Sequence, residues 1–146
     1  IGGGECMEEL KSLQFQYELD KVKILGFKNQ TELPAYFHIA DIFVMPSMAE
    51  PWGLVLNEAM SCGCAVVVSD EVMASYDLVR IRTNGFVFPA GNIAELTNIL
   101  MKMLSDPDLV SDMGLNSLKI ISKWSFKENV QAIKAAISYL EARNEI

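Results

Sequence analysis

Four short apolar runs recur along the chain about every 22 residues, with helical patterns filling the intervals. Val22-Lys23-Ile24-Leu25 is the first and ends at Gly26. Ile42-Phe43-Val44-Met45 is stopped by Pro46, which has no backbone N–H to continue a ladder. Ala65-Val66-Val67-Val68 is the third, and Phe86-Val87-Phe88, before Pro89, is the fourth. These runs are largely apolar along their whole length, the pattern of strands covered on both faces rather than one.

The intervening segments carry the spacing of helices. Leu10, Leu13 and Tyr17 repeat within 8–19, and 31–40 opens on a capping residue, Thr31. Segment 54–61 is apolar on most sides and reads as buried; 93–104 repeats Ile93, Leu96, Leu100 and Leu104. Strand, helix and strand in alternation dictate βαβ units and a parallel sheet. The fold class is therefore α/β, a three-layer Rossmann-like sheet, over residues 1–104. Residues 105–146 read as extra C-terminal helices. Asp106-Pro107 opens the first of these, and Phe126, Val130, Ile133, Ile137 and Leu140 stripe the last, which must pack on something. The whole of 1–146 reads as a single truncated domain, and a start at Ile1 inside an apolar-then-glycine pattern reads as an excised piece.

Composition narrows the function. A net charge of −7 argues against a nucleic-acid partner, whose binding rests on clustered Lys and Arg. It leaves room for a small phosphorylated ligand in a locally positive pocket. Three cysteines, two of them close neighbours, point away from a disulfide framework and towards a reducing, cytoplasmic setting. No apolar run approaches the roughly 20 residues of a membrane span.

The segment from Pro46 to Met60 carries the chemistry. It follows a buried strand and passes through Pro51-Trp52-Gly53 into a helix, at the strand end where open α/β sheets bind ligands. Gly53 lets the backbone approach a ligand, and the Leu54 and Val55 amides are unpaired donors at a helix start, which suits a phosphate. Glu58 stands in an apolar helix, where an unpaired carboxylate is costly and a pair of ligand hydroxyls would satisfy it. Glu50 stands in the preceding loop, facing the same crevice. Two carboxylates flanking an amide-lined phosphate site fit a sugar nucleotide, with hydroxyls at both ends and a pyrophosphate between.

This constellation resembles the family 4 retaining glycosyltransferases of the GT-B fold, over nearly the whole chain. The matching pieces are Ile1-Gly2-Gly3-Gly4-Glu5, Ile24-Leu25-Gly26-Phe27, Ala40-Asp41-Ile42-Phe43-Val44-Met45-Pro46-Ser47, Glu50-x7-Glu58, Cys62-Gly63-Cys64-Ala65-Val66-Val67, Asn84-Gly85-Phe86-Val87-Phe88-Pro89 and Trp124-Ser125-Phe126. Their order and spacing together are specific. The resemblance implies that Glu58 holds the ribose hydroxyls and that Glu50, the catalytic carboxylate, contacts the transferred sugar. It implies that Gly53, Leu54 and Val55 hold the distal phosphate, that Trp52 belongs to the donor loop, and that Gly26 and Phe27 lie by the base. It implies a UDP-, GDP- or ADP-sugar donor, retention, no metal or other cofactor, and a glycan, lipid or small-molecule acceptor bound by a missing N-terminal domain. Peripheral membrane association would come through that domain.

Some departures stand beside the match. The family's pyrophosphate-neutralising Arg and Lys fall before Ile1. The strand usually entered as Gly-x-Pro-Val-Val reads Gly63-Cys64-Ala65-Val66-Val67, and Val72-Met73-Ala74-Ser75 replaces a commonly glycine-containing turn. Two other functions use the same pocket: a nucleotide-sugar-binding module without catalysis, and a sugar-nucleotide epimerase. Elsewhere the plainer readings are favoured. Asp106-Pro107-Asp108 caps a helix rather than binding metal, and Cys62 and Cys64 pack as small apolar groups. His38 is a packed or surface residue, Asp41 serves structure, and the methionines fill the core. The mixed charge of the last helix favours core packing over a membrane surface.

Overall fold

A computed structural model describes residues 1–143. Where the sequence reads as one continuous domain, the chain forms two compact units, Ile1–Tyr36 and a second from Phe37 onward.

The second unit is built on three parallel strands in the order β1 (Ile42–Met45), β2 (Ala65–Ser69), β3 (Gly85–Phe88). Ile42 pairs with Ala65 and Val66 with Gly85, setting the register of both ladders. Gly85 is obligatory there, because an added Cβ would stand 1.8 Å from the Val66 carbonyl oxygen. The central strand β2 is buried at every position. Its side chains alternate between two cores. Val66 and Val68 join Leu56 and Met60 of helix α3 (Leu54–Ser61) and Leu78 of the short helix α4 (Ser75–Leu78), while Ala65 and Val67 join Ile99 and Met103 of helix α5 (Ile93–Leu104). Helices thus cover both faces, giving the three layers that the apolar runs require. Helix α6 (Pro107–Ile121) contributes to both cores, through Val110 and Met113 on one side and Ile120 and Ile121 on the other. It approaches so closely that a Cβ on Gly114 would meet the Gly63 carbonyl oxygen at 2.2 Å.

Several smaller expectations hold. Asp106 caps α6, accepting from the Leu109 amide at 3.0 Å with Pro107 in the first turn. The Cys64 thiol is buried and donates to the Phe37 and Ala40 carbonyls, and burial lifts its pKa to about 11. His38 is exposed, at the end of helix α2 (Leu33–His38), and the Asp41 carbonyl accepts from the Ala65 amide at the mouth of β2. Of the methionines read as core filler, Met45, Met60, Met103 and Met113 are core, whereas Met48, Met73 and Met101 are exposed and correct that reading.

Other expectations are corrected. Val22–Leu25 forms no strand: the Val22 amide donates back to the Leu19 carbonyl at 3.0 Å and its carbonyl accepts from the Gln14 side chain at 2.6 Å, and the bond from the Gly2 amide to the Gly26 carbonyl at 2.9 Å falls just past the run. A ladder needs a partner of comparable length. Helix α1 (Met7–Gln16) stops short of Leu19 because Glu18 turns left-handed, at φ 51°. The turn that leads into α2 is held by Asn29 rather than by Thr31, the Asn29 Oδ1 accepting from the amides of Thr31 and Glu32. Helix α3 buries only Leu56, Ala59 and Met60, with Leu54 70% exposed. The last helix, α7 (Phe126–Ala142), has no buried residue. Both faces of the three-stranded sheet are already occupied by α3, α5 and α6, so its apolar stripe finds no core to join among the described residues.

Candidate functional site

The site grows from the carboxyl end of β1. Pro46 ends the ladder, and the Ser69 hydroxyl donates to the Ser47 carbonyl at 2.5 Å, tying the two strand exits together. The following loop is stitched to the segment after β2 by backbone bonds. The Glu50 amide donates to the Glu71 carbonyl at 3.0 Å, Met73 donates to Glu50 at 3.1 Å, and Ala74 donates to Trp52 at 3.3 Å. Glu50 therefore sits on a pinned backbone, bridged in parallel to Val72.

Gly53 then turns the chain into α3 with φ 91°, in the left-handed region that side chains avoid. A Cβ there would lie 3.1 Å from the Met45 Cε and 3.3 Å from the Glu50 Cγ, so those side chains would have to shift as well, but the backbone angle alone favours glycine. The helix begins at once, with the Leu56 amide donating to the Gly53 carbonyl at 2.8 Å. Leu54 and Val55 occupy the first turn, where amides have no intrahelical acceptor. Among the described residues neither donates to a protein acceptor. Their N–H groups and the helix dipole form a positive mouth one residue beyond the turn.

The two carboxylates differ. The Glu50 Oε1 accepts from the Trp52 amide at 3.3 Å, which folds the side chain back over the turn. Glu58 is half-buried, one helical turn below Leu54, and among the described residues its carboxylate has no hydrogen-bond or ion-pair partner. One turn further on, its charge helps raise the Cys62 thiol pKa, after burial, the larger cause. An unpaired, half-buried carboxylate one turn from a helix start with free amides is an arrangement that a polyhydroxyl ligand would complete.

The structure brings Glu50, Trp52, Gly53, Leu54, Val55 and Glu58 together on one strand–turn–helix. Trp52 is turned inward, its indole N–H donating to the Asn57 Oδ1 at 3.2 Å and its ring lying 5.9 Å from that of Trp124. Gly26 and Phe27 belong to the first unit. Gly26 has φ 67° and Phe27 is exposed. Sequence reasoning gave no role to Asn57 or Trp124. The available signal was composition, since the chain has only two tryptophans and both lie in this contact. A cavity of about 480 Å³ bounded by His38, Asp41, Cys62 and Ser111 lies at the amino ends of β1 and β2, away from these carboxylates. Among the described residues no group of three or more His, Cys, Asp or Glu could hold a metal ion, and no helix is long and apolar enough to cross a membrane.

A parallel sheet covered by helices on both faces, with a glycine-turned helix start at a strand exit, defines an α/β domain of the Rossmann-like class. Residues 1–120 match the family of glycosyl transferases group 1, and the chain belongs to it. It is 31% identical over 131 residues to an uncharacterized glycosyltransferase of Methanocaldococcus jannaschii, covering 88% of this chain and 29% of that one. It is 29% identical over 140 residues to the UDP-Gal:alpha-D-GlcNAc-diphosphoundecaprenol alpha-1,3-galactosyltransferase of Escherichia coli, covering 92% and 34%. Among solved structures, Anabaena HepE in complex with UDP-glucose matches with a TM-score of 0.74 and 29% identity, over 90% of this chain and 36% of that one. The chain thus spans about a third of the length of these relatives.

Proposed function

We propose that this chain is the donor-binding part of a retaining glycosyltransferase, which moves a sugar from a nucleotide sugar to a glycan, lipid or small-molecule acceptor. The observation that carries the reading is the pair of free amides at the start of α3, flanked by Glu50 and an unpartnered Glu58, in a group 1 chain. The diphosphate lies at the Leu54 and Val55 amides behind Gly53. Glu58 accepts from the ribose hydroxyls, and Glu50 accepts from hydroxyls of the transferred sugar. No metal or other cofactor takes part.

As the bond from the anomeric carbon to the phosphate oxygen breaks, negative charge collects on the leaving diphosphate and positive charge on the sugar ring. The helix start stabilises the first and the Glu50 carboxylate the second. Such preorganised groups are worth more at the transition state than in water, because no dipole has to reorient. A uridine nucleotide is the first base to test, since HepE was solved with UDP-glucose and the Escherichia coli relative is named for UDP-Gal. An acceptor-binding domain in the longer polypeptide, a cytoplasmic location and a place in polysaccharide assembly belong to the same proposal.

The test is a calorimetric titration of the full-length protein with UDP-, GDP- and ADP-sugars. One class binds, and Glu58→Ala weakens its Kd by about 10- to 100-fold, the worth of a charge-assisted hydrogen bond. Equal binding by the variant would overturn the ribose assignment. Glu50→Ala lowers kcat by about 100-fold or more while donor Kd changes little; unchanged turnover would remove Glu50 from the mechanism.

A further inference from the structure

We propose that Trp124 is a positioning residue for the donor loop, acting through Trp52. The proposal rests on the donor-site reading above and adds to it a role for Trp124, which stands in the segment Trp124-Ser125-Phe126 beyond residues 1–120.

Trp52 is held at four points. Its amide donates to Glu50 Oε1 at 3.3 Å, and its carbonyl accepts from the Ala74 amide at 3.3 Å. Its indole N–H donates to Asn57 Oδ1 at 3.2 Å, and its ring packs against Trp124 at 5.9 Å with planes inclined by 45°. The first two bonds fix the loop's backbone. The third closes a brace from the loop to the second turn of α3, at the residue preceding Glu58. The fourth sets where the ring lies, and so whether the brace stays closed.

On the other side of the turn the Met45 and Glu50 side chains lie where a Cβ on Gly53 would stand. The Trp52 side chain adjoins the same turn, which aims the Leu54 and Val55 amides.

Trp124 is suited to act as a fixed wall. Its amide donates to the Ile121 carbonyl at 2.9 Å, closing the end of α6. The next residue caps α7: the Lys127 amide donates to the Ser125 Oγ at 3.2 Å, and the Ser125 amide donates to the Glu128 Oε2 at 3.3 Å. Trp124 is thus gripped between two helix ends while its ring reaches the loop. Removing it leaves the backbone of the site intact and frees the Trp52 ring. The consequence falls on the alignment of Glu50 and the amides, and so on transfer.

The test uses the full-length protein, with Trp124→Ala, Trp124→Leu and Trp124→Phe compared with Ile99→Ala, a core truncation on the α5 face. Steady-state kinetics on the donor and thermal melting are recorded for each, with Trp124→Leu standing in if the alanine variant fails to fold. Trp124→Ala and Trp124→Leu are expected to lower kcat/KM for the donor about five- to tenfold, the scale of one aromatic pair, with Trp124→Phe restoring it to within about twofold. Ile99→Ala is expected to lower the melting temperature without changing kcat or KM. Equal kcat and KM in wild type and Trp124→Leu, with only the melting temperature reduced, would show mere packing and overturn the proposal. A wild type that binds no nucleotide sugar would overturn the donor reading itself, and this inference with it.

Discussion

The two units of the chain contain similar local material and reach different ends. In the first, an apolar run (Val22–Leu25) and a helix (α1) are present, yet none of residues 1–36 is buried. Ile1, Leu10, Leu13, Val22 and Leu25 border a hollow of about 610 Å³ instead of closing on one another. In the second, β2 lies between two parallel neighbours and is buried from Ala65 to Ser69. Apolar runs become strands when both flanks and both faces find partners. Local pattern supplies the candidates, and neighbours decide among them.

The contrast can be broken most forcefully at a glycine. Gly85→Ala drives a methyl into the Val66 carbonyl, where only backbone displacement relieves the clash. It is expected to destabilise the second unit by more than about 3 kcal/mol in urea unfolding, whereas Gly3→Ala, with nothing nearer than 4.0 Å, is near neutral. A cost of under about 1 kcal/mol for Gly85→Ala would mean that the β2–β3 register is wrong. A smaller effect separates the leucines: Leu56→Ala, at a fully buried site, costs about 2–5 kcal/mol, and Leu10→Ala, half exposed, less than about 1 kcal/mol. Comparable costs would remove the distinction between a closed core and an open one.

The gentlest test is titration. The folded Cys64 thiol has its pKa raised to about 11, mainly by burial, above its ordinary value of 9.0. A raised folded pKa contributes stability that is fully present below the unfolded value and lost as pH rises through the folded one. The second unit should therefore keep this contribution up to about pH 9 and lose it progressively towards pH 11. At pH 8, iodoacetamide should label exposed Cys6 in the first unit rapidly and Cys64 slowly. Equal labelling rates in the folded protein would contradict the burial of Cys64.

Much of the second unit was legible because its signals are local. Segments 54–61 and 93–104 match α3 and α5 end to end, set by apolar spacing and by Gly53 and Asn92 at their starts. The runs at Ile42, Ala65 and Phe86 became β1, β2 and β3, with one added residue at Ser69 and one at Gly85. What failed depends on distant partners or on single backbone angles. Val22–Leu25 lacked a ladder neighbour, Glu18 ended α1 by turning left-handed, and the stripe on α7 found both sheet faces taken. The site divides the same way. Its strand–turn–helix was readable from Pro51-Trp52-Gly53, whereas the brace from Trp52 to Asn57 and Trp124 joins residues that only folding brings together.

The central claim is that the bare nitrogens opening α3 receive the diphosphate while Glu58 takes the ribose. A crystal structure of the full-length protein with its bound donor tests it most directly. The account predicts diphosphate oxygens within about 3 Å of the Leu54 or Val55 nitrogen and ribose hydroxyls donating to the Glu58 carboxylate. A donor seated elsewhere, with those nitrogens facing solvent and Glu58 paired to a protein cation, would contradict it.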